Sequence, residues 1–342
     1  MSNTLFIVAV SSAVLFIVWL IARSPILVPT HSGKRMTRIG RWKVRGLVFV
    51  AELFLKRMLR RVDRPREEVG SLSDLVVPTS FGPSRVTVYR PAAAQSETLP
   101  AYINFHGGGW VIGCPEQDDV ICRYIANHVQ CIVVNVDYVR LPKFHFPGPV
   151  HHCLEVCDWV HRHANELSID PAHIAVGGAS AGANLAAAVV VASLDRPAYR
   201  FASLILNVPV VSVEEGMPAQ VLTDRKQMLN ADMFNLGRDC YVPHFADRCN
   251  PLASPIRAGN LDRWPPTLIV NAEHDFLRPH GAALADKLRE AGVQVTYRLF
   301  DGVDHPFTID GPRQQAMEAW ELMVDTLLDS FASAKTPLGE AG

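Results

Sequence analysis

The sequence predicts an α/β protein: a mostly parallel central sheet with helices on both faces, and an N-terminal transmembrane helix ahead of them. Three observations carry this. Short apolar runs of strand length alternate with helix-period segments through most of the chain. Two glycine-rich stretches, His106-Gly107-Gly108-Gly109-Trp110 and Gly178-Ala179-Ser180-Ala181-Gly182, each follow such a run. An uncharged stretch from Leu5 to Ala22 stands before a dense cluster of Lys and Arg.

The first element is that uncharged stretch. Eighteen helical residues span about 27 Å, enough for a bilayer core. A cleaved signal peptide would want a positive leading region and a small-x-small site. Met1-Ser2-Asn3-Thr4 has no charged side chain, and Ile21-Ala22-Arg23 has no such site, so residues 1–24 are read as a retained anchor. Lys34, Arg35, Arg38, Arg41, Lys43, Arg45, Lys56, Arg57, Arg60, Arg61 and Arg64 follow, opposed only by Glu52 and Asp63. By the positive-inside rule that excess places the body of the protein in the cytoplasm. Leu47, Ala51, Phe54, Leu55, Met58 and Val62 recur at helical spacing, with Lys56, Arg57, Arg60 and Arg61 outside the stripe. Residues 25–70 are thus a basic amphipathic segment, packed on the domain with a solvated basic face or lying on anionic lipid.

Strands and helices then alternate. Residues 84–89 show period-two alternation, and residues 101–105 form an apolar run ending at the first glycine loop. A helix over 120–129, a strand over 131–136 and a helix over 149–167 follow. Ile174-Ala175-Val176 leads into the serine turn, and an Ala/Val-rich helix covers 184–194. Further strands are expected at 204–206, 267–270 and 295–300, with helices over 281–291 and 312–331. Residues 211–263 break the alternation and read as an insertion. The catalytic domain is therefore 71–334, with the insertion at about 211–263, and 335–342 form a disordered tail.

A chain of 342 residues that is 49% hydrophobic supports one large core. Its net charge of −1 argues against a polyanion binder, so no nucleic-acid partner is expected. Seven cysteines without a framework read as reduced thiols, in keeping with a cytoplasmic body. Cys153, Cys157 and His161 share one helix face, but one straight helix cannot wrap a metal tetrahedrally. No metal is expected, and the two cysteines are read as core residues.

The glycine stretches carry the chemistry. The G-x-S-x-G spacing around Ser180 is that of a nucleophile elbow, a strained strand-to-helix turn that exposes a serine hydroxyl. The earlier loop can present backbone N–H groups to a tetrahedral oxyanion. The candidate donors are Gly108, Gly109 and Ala181; His106, Gly107 and Trp110, on the same loop, are expected to line the substrate. A serine needs a base, and the base needs a carboxylate to fix its tautomer. Asp275 follows the strand at 267–270 and His305 the strand at 295–300, both at strand ends on the edge that carries Ser180. His274 and His280 are weaker candidates for the base. Glu273, Asp301 and Asp304 are weaker candidates for the acid, since residues on the histidine's own loop rarely reach its far nitrogen.

From about Leu75 to Phe331 the chain resembles the hormone-sensitive lipase family of α/β-hydrolases, which includes bacterial esterases and arylacetamide deacetylases. The residues that carry the resemblance are the two glycine stretches, Asn184-Leu185-Ala186, Asn250-Pro251-Leu252-Ala253-Ser254-Pro255, Glu273-His274-Asp275-Phe276-Leu277-Arg278 and Gly302-Val303-Asp304-His305-Pro306-Phe307. The resemblance implies the α/β-hydrolase fold, a triad of Ser180, Asp275 and His305, and a cap built from the N-terminal helices and the 211–263 insertion. The sequence departs at Ala179, where the family has an acid, and at Ala183, where it has glycine. The family's Asp-Tyr-Arg-Leu-Ala-Pro-Glu segment reads here Asp137-Tyr138-Val139-Arg140-Leu141-Pro142-Lys143.

The expected protein is a membrane-anchored carboxylic-ester hydrolase without a cofactor, acting on a small lipophilic ester. The same triad would also serve an amidase, deacetylase or lactone hydrolase. A non-catalytic receptor on this fold is the reading from another class, disfavoured because all three triad members are present.

Overall fold

The computed structural model describes residues 66–94, 96–196, 200–214 and 227–333. Among these described residues eight strands form one sheet in the order β1-β2-β4-β3-β5-β6-β7-β8. They are β1 Ser71–Thr79, β2 Gly82–Arg90, β3 Leu99–Phe105, β4 Ile132–Val136, β5 Ile169–Ala179, β6 Leu204–Asn207, β7 Thr267–Ala272 and β8 Val295–Phe300. β1 and β2 form an antiparallel hairpin, β2 pairs antiparallel with β4, and every later pairing is parallel. Parallel strands carry their crossovers on the sheet faces and are buried on both sides, which accounts for the unbroken apolar sequence Ile132-Val133-Val134 in β4.

Alternation along the strands sorts the core into two layers. Ile103, Val134, Val176, Leu206 and Ile269 point to one face, where they meet helices α2 (Gly148–Arg162), α3 (Ala181–Ser193) and α5 (Arg278–Glu290). Tyr102, Val133, Ala175, Ile205 and Leu268 point to the other, against α1 (Asp119–Val129) and α7 (Arg313–Ser333). Helix α4 (Ala231–Tyr241) lies within the insertion, and α6 (Phe307–Asp310) is a short turn before α7. Cys153 and Cys157 of α2 sit inside the first layer as small apolar side chains.

The structure revises several boundaries. The helix expected over 149–167 ends at Arg162, and residues 163–168 form turns. The helix expected from 281 begins at Arg278, with Pro279 in its first turn, where a missing N–H is harmless. Strand β1 adds to the expected set: Leu72 and Val76 are exposed on this edge strand, so it lacks the apolar alternation that marks a strand in sequence.

Among the described residues no helix is long and apolar enough to cross a membrane. The run from Leu5 to Ala22, the amphipathic stripe from Leu47 to Val62 and the tail at 335–342 lie outside the described residues.

Candidate active site

Ser180 stands between β5 and α3 with φ 55° and ψ −116°, a left-handed conformation that a side chain with a Cβ rarely takes. The flanking glycines show why the turn is so tight. A Cβ on Gly178 would run into Phe105 O, and one on Gly182 would run into Phe105 O and His106 O. The elbow is thus pressed directly onto the end of β3, and only glycine allows that approach. Ser180 N donates to Asn207 O at 2.9 Å, fixing the turn to the end of β6. The serine is 8% exposed.

The glycine loop begins beside it: a Cβ on Gly107 would lie 3.7 Å from Ser180 Cβ. Gly108 has φ 125°, closed to other residues, and its carbonyl accepts from Val111 N and Ile112 N, both at 3.1 Å. With that carbonyl turned away, the N–H groups of Gly108 and Gly109 make no hydrogen bond among the described residues. Ala181 opens α3, so its N–H has no partner within the helix.

His106 and Trp110 lie inside the protein rather than along a surface. His106 is wholly buried; its Nδ1 is 2.7 Å from Gly107 O and its ring stacks on Tyr138 at 4.3 Å. A carbonyl can only accept, so Nδ1 carries the proton, and Nε2 receives Arg140 Nη1 at 3.3 Å. Burial and the Arg140 charge push the His106 pKa down to about 3. Trp110 stacks on Tyr241 of α4 at 4.4 Å and 6°. Both side chains therefore brace the loop from within, and of the expected lining residues Gly107 is the one beside Ser180.

Asp275 and His305, thirty residues apart, come together: His305 Nδ1 is 2.8 Å from Asp275 Oδ2. Asp275 is 1% exposed and its Oδ1 accepts from Leu277 N at 2.8 Å, so the carboxylate is fixed at both oxygens. Burial opposes charge on His305, but the Asp275 carboxylate, its hydrogen bond and Asp304 outweigh it and hold the pKa above the ordinary histidine value. The bond at Nδ1 leaves Nε2 as the basic nitrogen. His280 instead sits buried in α5 beside Phe234, its pKa pushed down to about 4 by burial.

Sequence reasoning missed Asn207. Its carbonyl holds Ser180 N and its Nδ2 donates to Thr308 Oγ1 at 2.6 Å. That bond carries the segment after His305 back across the sheet to the strand beside Ser180, although β8 is three strands away from β5. Asn184, which the sequence offered only as part of the resemblance, donates through Nδ2 to Val210 O and Ala253 O, both at 3.1 Å, tying α3 to the residue before the insertion and to one within it. An isolated asparagine at the end of an apolar run was the only signal for Asn207.

Comparison with known proteins identifies the family. A family model described as alpha/beta hydrolase fold matches residues 102–309. The chain belongs to the hormone-sensitive lipase family of α/β hydrolases. It is 31% identical to an arylesterase of Saccharolobus solfataricus over 250 residues, 73% of this chain and 80% of that protein. It is 33% identical to the carboxylesterase NlhH of Mycobacterium tuberculosis over 61% of this chain and 66% of that one. Among solved structures, a thermophilic carboxylesterase from a metagenomic library superposes with a TM-score of 0.78 at 30% identity, covering 84% of this chain and 97% of its own. An esterase from Pyrobaculum calidifontis gives 0.75 at 32% identity, covering 84% and 92%. The protein is accordingly an esterase-type hydrolase.

Proposed function

We propose that this hydrolase cleaves small lipophilic carboxylic esters with Ser180 as nucleophile, His305 as base and Asp275 as its orienting acid. Ser180 Oγ attacks the ester carbonyl while His305 Nε2 takes the hydroxyl proton. The oxyanion is stabilised by the N–H groups of Gly108, Gly109 and Ala181. The tetrahedral species collapses, the alcohol leaves with the proton from His305, and an acyl-Ser180 ester remains. Water, deprotonated by His305, then releases the acid and restores the serine. The observation that carries this reading is the 2.8 Å contact between Asp275 Oδ2 and His305 Nδ1, at the strand ends where Ser180 is held in its strained turn. Ser180→Ala should lower turnover of a p-nitrophenyl ester by ~10⁴–10⁶-fold with the fold intact. A variant that kept a tenth of wild-type turnover would overturn the serine mechanism.

The same reading places the enzyme on a membrane through residues 1–24, with the catalytic body in the cytoplasm. The support is the uncharged run from Leu5 to Ala22 followed by its Lys/Arg cluster. In spheroplasts, a C-terminal tag should resist external protease and become cleavable only after lysis. Cleavage in intact spheroplasts reverses the topology, and soluble protein lacking residues 1–24 makes the segment a cleaved signal.

A further inference from the structure

Asp304 precedes the catalytic histidine, and its carboxylate is shared between two backbone amides. Oδ1 accepts from His305 N at 2.7 Å. Oδ2 accepts from Met228 N at 2.8 Å, and Met228 belongs to the insertion. The residue before it repeats the pattern on the neighbouring loop: Gln227 Nε2 donates to His274 O at 2.8 Å, and His274 precedes Asp275. Two consecutive residues of the insertion are therefore bonded to the two loops that present the acid and the base.

Helix α4 begins three residues after Met228. Asn230 caps it, its side chain accepting from Met233 N at 3.0 Å. The eleven residues of α4 run about 16 Å and end at Tyr241. There Tyr241 stacks on Trp110, and its carbonyl accepts from Phe146 N at 2.9 Å. Midway, a Cβ on Gly237 would rest 3.6 Å from Gly109 O, so the helix lies directly on the glycine loop. One helix thus starts on the histidine side of the site and ends on the oxyanion side.

We propose that Asp304 is a positioning residue: it ties the start of α4 to the backbone of His305, so that α4 acts as a strut fixing the histidine relative to the oxyanion loop. The proposal rests on the triad reading and extends it. A carboxylate suits this place because it offers two acceptors to two N–H donors. An asparagine of the same size keeps one acceptor and turns an NH₂ toward the other donor. The amide that moves is that of His305 itself, so a small displacement enters the reacting geometry directly.

The test is Asp304→Asn in the full-length enzyme, with kcat normalised to sites counted by stoichiometric labelling with a fluorophosphonate. A histidine out of position slows chemistry more than binding, so kcat per labelled site should fall ~10–100-fold with KM changed less than about threefold. Gln227→Ala should give a smaller loss of the same kind. The double variant should lose less than the product of the two, because both bonds hold one strut. Unchanged kcat per site, a loss confined to KM, or losses that multiply would each overturn the strut. If Asp304→Asn does not fold, Gln227→Ala alone decides, and kcat per site unchanged from wild type in that variant would overturn it. Failure of the triad reading shows separately, as turnover and fluorophosphonate labelling that survive Ser180→Ala.

Discussion

His106 and His305 are both buried, and each serves one half of the site, yet their surroundings push them in opposite directions. His106, beneath the glycine loop, faces a carbonyl at Nδ1 and the Arg140 cation at Nε2. Burial and that cation keep it neutral, with its pKa pushed down to about 3. His305 faces the Asp275 carboxylate, which overcomes the same burial and raises its affinity for a proton. Burial alone penalises the imidazolium in both places, so the charge of the nearest partner decides the outcome. A permanently neutral ring is a peg that holds a carbonyl. A ring whose affinity for a proton is raised by a carboxylate is suited to act as a base.

Removal of the carboxylate beside His305 should have the largest effect. Asp275→Asn should cost ~10⁴-fold in kcat, because His305 loses its tautomer and its stabilised cation. The pH effect has a definite sign. The proposed mechanism needs neutral His305, so wild-type kcat/KM should rise with pH through a value above ~6.5. In the residual activity of Asp275→Asn that limb should move to lower pH. An unchanged rate in Asp275→Asn, beside a crippled Asp304→Asn or Asp301→Asn, would reassign the acid.

A smaller effect is expected on the other side. Arg140 is held by Asp137 Oδ1 at 2.7 Å and Tyr138 O at 2.9 Å, and donates to His106 Nε2. Arg140→Met frees His106 to turn and loosens the loop without deleting a donor. The kcat loss should be ~10-fold, below the ~10²–10³ for removal of an oxyanion donor. A change in KM alone would separate His106 from oxyanion geometry.

The smallest effect concerns a third buried histidine with no catalytic position. His152 of α2 is fully buried beside Phe81, neither ring nitrogen has a hydrogen-bond partner among the described residues, and burial pushes its pKa down to about 4. Its folded value lies below the unfolded ~6.5. The stability it contributes is therefore present above about pH 6.5 and is lost as pH falls toward about 4. His152→Leu should leave kcat unchanged and narrow the gap between thermal midpoints at pH 7 and pH 5. A gap equal to that of the wild type would mean that His152 does not stay neutral in the folded enzyme.

The parallel core and the hydrolase class were legible in the amino-acid order. Apolar runs such as Ile132-Val133-Val134 have one comfortable place, a strand buried on both faces. Gly178 and Gly182 announce a backbone approach that no other residue permits. These signals are local, written within a few residues of where they act. The exposed strand β1 left no such mark, and neither did the polar bonds that brace the site around Asp275 and His305. Asn207 reaching Thr308, Asp304 reaching Met228 and Arg140 reaching His106 join residues 34 to 101 positions apart. A single polar side chain looks the same in sequence whether it meets water or a buried partner. Position along the chain already singled out His305 from the thirteen histidines, but only the three-dimensional packing set His106 beside a cation. The reason is physical: the sign of a neighbouring charge acts through space, and sequence order does not record it.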